Sequence, residues 1–213
     1  MRLYLIRHAE TAWNLERRTQ GGRSDIELNE TGIAQTVALA EYLGKEQIAA
    51  VYSSPLQRAL ITARAIAETH GLTPVVQAEL TELDQGEMEG LTSDEMRAKY
   101  PEVMRRWGAG DTTVPLPGGE SLGGLQERMW SGIREIYQTH RQETVVVVGH
   151  NLAILMFICK ALGLPPSSFR RLRMQPGALN AFEMNEQGVT LLRFNQTYPH
   201  DSRSVIRNTM EGA

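Results

Sequence analysis

Apolar residues come in short unbroken runs along this chain, and stretches with helical periodicity separate them. Leu3-Tyr4-Leu5-Ile6, Ala50-Val51-Tyr52-Ser53 and Val145-Val146-Val147-Val148 are the clearest runs. Runs of this length without polar alternation predict strands buried on both faces, the habit of parallel sheets. Between them, a helix is predicted from about Glu30 to Lys45, with Ile33, Val37, Ala40 and Leu43 on a helical period. A second helix, with Pro55 in its first turn, continues through Thr69 and stops at Gly71. A long helix spans about Leu122 to His140, opened by Ser121, and another follows the valine run with Asn151 as its cap. Val75-Val76 reads as a further strand. Asn185-Glu186-Gln187-Gly188 between two apolar segments, 181–184 and 189–194, reads as a hairpin turn. Strands alternating with helices predict an α/β fold, layered around a sheet.

Three segments break this rhythm. Residues 9–29 are polar and glycine-rich and read as one long loop, which in a compact domain usually serves function. The segment from Glu79 to Gly90 is acidic and irregular. Thr92-Ser93-Asp94-Glu95 is a capping box opening a short helix, Pro101 restarts one that ends near Gly108, and the Gly- and Pro-rich residues 109–120 form a loop. These features predict one domain over residues 1–200, with 92–120 as a small cap-like insertion and 201–213 as a loosely held tail.

Composition narrows the setting. The 213 residues suffice for one substantial core, and 41% apolar with 22% charged residues is ordinary for a globular protein. Twenty-two basic against 25 acidic residues leave a formal charge of −3, which argues against a nucleic-acid partner. Cys159 is the single cysteine, so neither a disulfide framework nor a cysteine-based zinc site is expected. No apolar stretch is long enough for a membrane span, the start of the chain carries no signal-peptide pattern, and a cytoplasmic location is expected. Without such a signal the sequons at Asn29 and Asn195 are discounted.

The chemistry sits at predicted strand ends. Arg7-His8 follows the first apolar run, and Gly149-His150 follows the valine run. The residues after Ser53 lead into a helix whose first turn carries Arg58. Carboxyl ends of strands in open α/β sheets are where ligands bind. Two arginines there suit a tetrahedral dianion, since guanidinium groups bind phosphate oxygens in pairs. Cationic neighbours hold an imidazole neutral, which suits it to nucleophilic attack. Cleaving a phosphate ester also calls for a proton on the leaving oxygen. Glu82 is the first candidate, with Glu79, Asp84, Glu87 and Glu89 as competitors that spacing does not separate.

Arg7-His8-Ala9-Glu10-Thr11-Ala12-Trp13-Asn14 resembles the signature of the histidine phosphatase superfamily, the group that contains the cofactor-dependent phosphoglycerate mutases. Ser53-Ser54-Pro55-Leu56-Gln57-Arg58-Ala59, Leu80-Thr81-Glu82 with Gly86 and Glu89-Gly90, Pro117-Gly118-Gly119-Glu120-Ser121, and Val148-Gly149-His150 are similar to its later motifs and stand in the same order. The resemblance implies a phosphoglycerate mutase-like three-layer α/β/α sandwich with a mostly parallel central sheet. It implies a phosphoric monoester hydrolase that acts on a small phosphorylated metabolite through a phosphohistidine on His8. Arg7, Arg58 and His150 would bind the transferring group, and Glu82 would serve as acid and then base. Asn14 is similar to a family asparagine that touches the phosphoryl group, and Gln20 stands where the family has a pocket-lining residue. Two departures are visible. Ala9 replaces a frequent glycine, tolerable unless the turn needs a positive φ. Asn151 replaces another glycine, and its amide would be a helix cap or an extra phosphate contact. No cofactor is implied, and a homodimer stays open.

Rival motifs fare poorly. Gly119-Glu120-Ser121-Leu122-Gly123 matches the nucleophile elbow of serine hydrolases, but Pro115-Leu116-Pro117-Gly118 stands where a buried strand is required. Pro165 lies six residues after Cys159, where a cysteine phosphatase needs arginine. The carboxylates do not cluster with histidines at metal-ligand spacing, so no metal is expected. Phosphoglycerate mutase needs the same residues and is the nearest alternative. A non-catalytic phospho-ligand binder would not need Glu82. Arg17, Arg18, Arg23, Arg105 and Arg106 read mainly as solvent-exposed, with a second anionic group on the substrate as the alternative.

Overall fold

The computed structural model describes residues 1–199; the tail expected over 201–213 lies outside them. Its centre is a six-stranded sheet. β1 (Arg2–Arg7), β2 (Ala50–Ser53), β3 (Val75–Val76), β4 (Thr144–Gly149), β5 (Leu179–Asn185) and β6 (Gly188–Gln196) stand in the order β3-β2-β4-β1-β5-β6. The first four strands in that order are parallel, and β5 and β6 add an antiparallel edge hairpin. Helices α2 (Glu30–Leu43) and α3 (Gln57–Glu68) cover one face. Helices α6 (Leu122–Thr139) and α7 (Asn151–Ala161) cover the other. The three-layer expectation therefore holds.

Strand periodicity explains why the apolar runs are unbroken. Leu3, Leu5, Val145 and Val147 join the core beneath α6 and α7, while Tyr4, Ile6, Val146 and Val148 join the core beneath α2 and α3. With both faces covered, no position is left for a polar residue. Phe157 and Phe182 meet edge to face in the larger core, ring centroids 5.4 Å apart.

Several local expectations are corrected. Residues 9–29 are not all loop: α1 (Ala12–Leu15) forms a single turn capped by Thr11, whose side chain accepts from the Asn14 backbone while the Asn14 side chain accepts from Thr11. Pro55 precedes α3 rather than entering its first turn, and Leu56 is the N-cap. Helix α2 buries Gly32, Ala34, Thr36, Leu39, Ala40 and Leu43, leaving Val37 exposed. The small residues allow close approach, since a Cβ on Gly32 would stand 2.1 Å from the Glu10 carbonyl oxygen. Asn151 is not the cap of α7; His150 holds that position and makes no side-chain cap bond. Ser121 and Thr92 do cap α6 and α4 (Ser93–Lys99), and α5 (Pro101–Gly108) follows α4 directly.

The irregular segment that bears Glu82 is pinned by close backbone packing. Gly86 has φ +53°, and an added Cβ would fall 2.1 Å from the Pro117 carbonyl oxygen. Both the left-handed backbone and the clash oppose any side chain there. Gly86→Ala should lower stability by more than about 2 kcal/mol, measured by urea unfolding. An unchanged midpoint would show that the 82–90 segment yields freely.

Candidate active site

The sheet order brings three sequence-distant strand ends side by side. β4 lies between β2 and β1, and Arg7 pairs with Gly149 in register. The next residue along each strand is a histidine, and the His8 backbone N–H donates to the Gly149 carbonyl at 2.9 Å. The two imidazoles consequently meet, ring centroids 5.3 Å apart and tilted by 53°. Ser54 follows β2 and donates its backbone N–H to Val148, which carries the chain into α3 and Arg58. His8, Arg58, Glu82 and His150 are all buried.

The geometry of His8 fixes its tautomer. Nδ1 lies 2.8 Å from the Ala9 carbonyl oxygen, an obligate acceptor, so Nδ1 bears the proton and donates. The lone pair is then on Nε2. Ala9 itself has no positive φ, so its departure from glycine carries no backbone strain. Burial pushes the His8 pKa well below the ordinary histidine value, and the positive charges of Arg58 and then Arg7 push it further. His8 is neutral at pH 7.

The two guanidinium groups are held by carbonyls. Arg7 Nη1 donates to the Met174 carbonyl at 2.5 Å and to Asn151 Oδ1 at 3.4 Å. Arg58 Nη1 donates to the Ser24 carbonyl at 2.5 Å and Nη2 to the Gly21 carbonyl at 3.0 Å. Neutral acceptors orient these cations without discharging them. Burial lowers the Arg7 pKa to about 10, with Glu82 opposing and Arg58 assisting, and Arg7 stays charged at neutral pH. Arg7 Nε, Arg58 Nε and His150 Nδ1 are buried and have no hydrogen-bond partner among the described residues. Unpaired buried polar groups cost about 1–3 kcal/mol each. Three on residues surrounding one histidine fit an anion with several acceptor oxygens, the demand that phosphate meets.

Glu82 occupies the start of α7. Its Oε1 accepts from the Leu83 and Ala153 backbone N–H groups at 2.8 and 3.1 Å, and Oε2 accepts from Leu152 at 3.0 Å. The helix-capping work expected of Asn151 is thus done by a carboxylate seventy residues away in sequence. Burial raises the Glu82 pKa and outweighs the lowering by these bonds and by Arg58. A carboxyl poised closer to neutrality than usual suits proton transfer.

Among the expected binding residues, Asn151 joins the site through Arg7. Asn14 and Gln20 are drawn together by Thr11, whose hydroxyl lies 3.1 Å from Asn14 Oδ1 and 2.9 Å from Gln20 Oε1. Of the competitors of Glu82, Glu79 is not buried, and Asp84, Glu87 and Glu89 are engaged with other groups. Asp84 pairs with Arg23 at 2.8 Å, Glu87 accepts from Tyr100, and Glu89 accepts from the Arg23 backbone. Reading by sequence missed Arg128, on α6. Its guanidinium donates to the carbonyls of Glu79, Thr81 and Glu82 and pairs with Glu120 at 2.5 Å, clamping the segment that carries the acid. No sequence signal separates Arg128 from an ordinary helix arginine. It also missed Asp25, which caps α3 by accepting from the Gln57 N–H at 2.7 Å and so ties the 9–29 segment to the helix of Arg58.

Comparison with known proteins agrees with this geometry. The model of the histidine phosphatase superfamily, branch 1, matches residues 3–197. Phosphoserine phosphatase 1 of Hydrogenobacter thermophilus is 35% identical over 92% of this chain and 93% of its own. A mycobacterial glucosyl-3-phosphoglycerate phosphatase, solved with VO3, superposes with TM-score 0.83 at 30% identity, covering 92% of this chain and 99% of that one. Phosphoserine phosphatase of Entamoeba histolytica, solved with phosphoserine, gives TM-score 0.83 at 27% identity, covering 92% and 96%. The chain belongs to the histidine phosphatase superfamily and is a phosphoric monoester hydrolase. Among the described residues no helix is long and apolar enough to cross a membrane.

The buried histidines make stability pH-dependent. Their folded pKa values lie below the unfolded value of about 6.5, so on acidification the unfolded chain takes up protons that the folded protein refuses. Stability should fall as pH drops below about 6.5, by at most about 1.4 kcal/mol per pH unit for each histidine. Glu82, shifted upward, acts with the opposite sign: it favours the folded state below the ordinary carboxylate value and loses that contribution as pH rises through its own. Urea unfolding between pH 5.5 and 7.5 in phosphate-free buffer should show the fall, and His8→Gln should flatten it. An identical slope in wild type and variant would contradict the neutral, buried assignment of His8.

Proposed function

We propose that this phosphatase works by transferring the phosphoryl group of a small phosphomonoester to Nε2 of His8. The observation that carries the reading is the Nδ1–H bond of His8 to Ala9, which leaves the Nε2 lone pair as the ring's only nucleophilic site among two arginines and a second histidine. Arg7, Arg58 and His150 bind the phosphoryl oxygens. As the N–P bond forms and the P–O bond to the alcohol breaks, negative charge develops on the leaving oxygen, and Glu82 gives it a proton. The alcohol departs, and a water attacks phosphorus. Glu82, now ionised, takes the proton from that water while the P–N bond breaks and inorganic phosphate is released. Both halves use the same groups in opposite protonation states, and positioning with charge stabilisation provides most of the acceleration.

Asn14, Gln20 and Asn151 complete the binding shell in this reading. The Asn14 carbonyl is spent on Thr11, and its amide nitrogen is the part able to donate to a phosphoryl oxygen. Asn151 acts by steadying Arg7. The 92–120 segment is a cap that sets which alcohol fits, anchored to the 9–29 segment by Arg18 pairing with Thr92 and by Thr19 against Met96. Small carboxylated phosphomonoesters of the phosphoserine and phosphoglycerate kind are the substrates to test first, because the relatives named above act on or bind such molecules.

His8→Ala should leave less than a few per cent of wild-type kcat on any phosphomonoester; greater retention would remove His8 as nucleophile. Glu82→Gln should lower kcat/KM, which reports phosphoryl transfer to His8 and not the later hydrolysis common to all esters, by about 10²–10⁴-fold on an alkyl phosphate, and much less on p-nitrophenyl phosphate, whose leaving group needs no proton. Equal losses on both esters would exclude general acid catalysis by Glu82. Free phosphate should appear faster than any interconversion of 2- and 3-phosphoglycerate; dominant interconversion would make the protein a mutase.

A further inference from the structure

Ser54 stands directly after β2, fully buried, and no part of the mechanism above employs it. Its hydroxyl oxygen lies 2.7 Å from His150 Nε2, and it accepts the Leu56 backbone N–H at 3.3 Å. A serine hydroxyl has one hydrogen to give. Of the two groups at Ser54 Oγ, the Leu56 N–H is itself a donor, and only the imidazole nitrogen has a lone pair to accept. The hydroxyl hydrogen therefore belongs to the bond with Nε2. His150 is neutral, because burial first, then Arg58, His8 and Arg7 all oppose its protonation. A neutral imidazole that accepts at Nε2 carries its single hydrogen on Nδ1. That nitrogen is buried and has no partner among the described residues.

We propose that Ser54 is a positioning residue for phosphoryl transfer: by donating to His150 Nε2 it holds His150 as the Nδ1–H tautomer, which makes that nitrogen a hydrogen-bond donor to the phosphoryl group. The two histidines then share one tautomer and have opposite roles. In His8 the Nδ1–H is spent on the Ala9 carbonyl and the free Nε2 lone pair attacks. In His150 the Nε2 lone pair is spent on Ser54 and the free Nδ1–H binds oxygen. The reverse tautomer of His150 would aim a lone pair at an anion and repel it. Ser54 thus separates donor from nucleophile in a pair of otherwise identical side chains.

The second part of the proposal rests on the phosphate-binding reading of the pocket, and the first part does not. Long-range proton–nitrogen correlation on histidine-labelled, phosphate-free enzyme should show His150 protonated at Nδ1 and bare at Nε2. Ser54→Ala should abolish that preference and weaken inorganic phosphate binding at least about tenfold, close to 1.4 kcal/mol. Ser54→Thr, which keeps the hydroxyl, should restore both. A wild-type His150 protonated at Nε2 would overturn the proposal, and so would Ser54→Ala with the Nδ1–H tautomer and phosphate affinity unchanged. If Ser54→Ala does not fold, the wild-type spectrum alone decides. Survival of turnover in His8→Ala would sink the nucleophile assignment while leaving this spectrum untouched.

Discussion

Everything around the pocket answers one electrostatic demand: two guanidinium groups must stay charged while shut away from water. Burying a cation without compensation costs several kcal/mol. An ion pair for each would neutralise the charge that an incoming phosphate needs. The fold supplies backbone carbonyls instead, from Met174 to Arg7 and from Gly21 and Ser24 to Arg58. This explains why the 9–29 segment must lie where it does. It explains too why Asp25 and Glu89 tie that segment down, Asp25 to the start of α3 and Glu89 through the Arg23 backbone and the Ser24 hydroxyl.

The same cationic field sets the proton inventory of the site. It holds both histidines neutral, so neither competes with the arginines for charge, and each can offer a lone pair or an N–H according to its tautomer. Glu82 sits among opposing influences, with desolvation raising its pKa and three backbone N–H groups and Arg58 lowering it. Helix α7 contributes those N–H groups at Leu152 and Ala153 because it starts immediately after His150. One short segment thereby both carries His150 and orients the Glu82 carboxylate. The clamp of Arg128 and Glu120 holds the acid from the other side, bonding three carbonyls of the segment that bears it.

Local signals were legible wherever the cause was local. The buried strands followed from unbroken apolar runs, and the caps at Thr92 and Ser121 from side chains that reach their own helix. The failures have a common origin as well. Helix α1 was hidden because a single turn has no periodicity to read. Asn151 looked like a cap because asparagine beside a helix start usually is one, whereas a distant carboxylate already occupied the free N–H groups. Val37 fell on an apolar period and still faces solvent, because Gly32 and Thr36 let α2 turn its small-residue side inward.

By itself the sequence determined the kinds of element, the identity of the reactive groups and their attachment to strand ends, since each depends on residues within a few positions of one another. It also carried the family resemblance, because the motifs retain their order. Only the tertiary structure decided which strand ends are neighbours, and hence that His8 and His150 face each other 5.3 Å apart. Of the five acidic candidates, only Glu82 has its carboxylate buried against the start of α7, an environment that spacing alone did not show. The tertiary structure alone revealed the bonds of Ser54 to His150, of Arg128 to Thr81 and of Asp25 to Gln57, across 96, 47 and 32 positions. Long-range hydrogen bonds leave no period and no local motif, so their meaning exists only once the chain has folded.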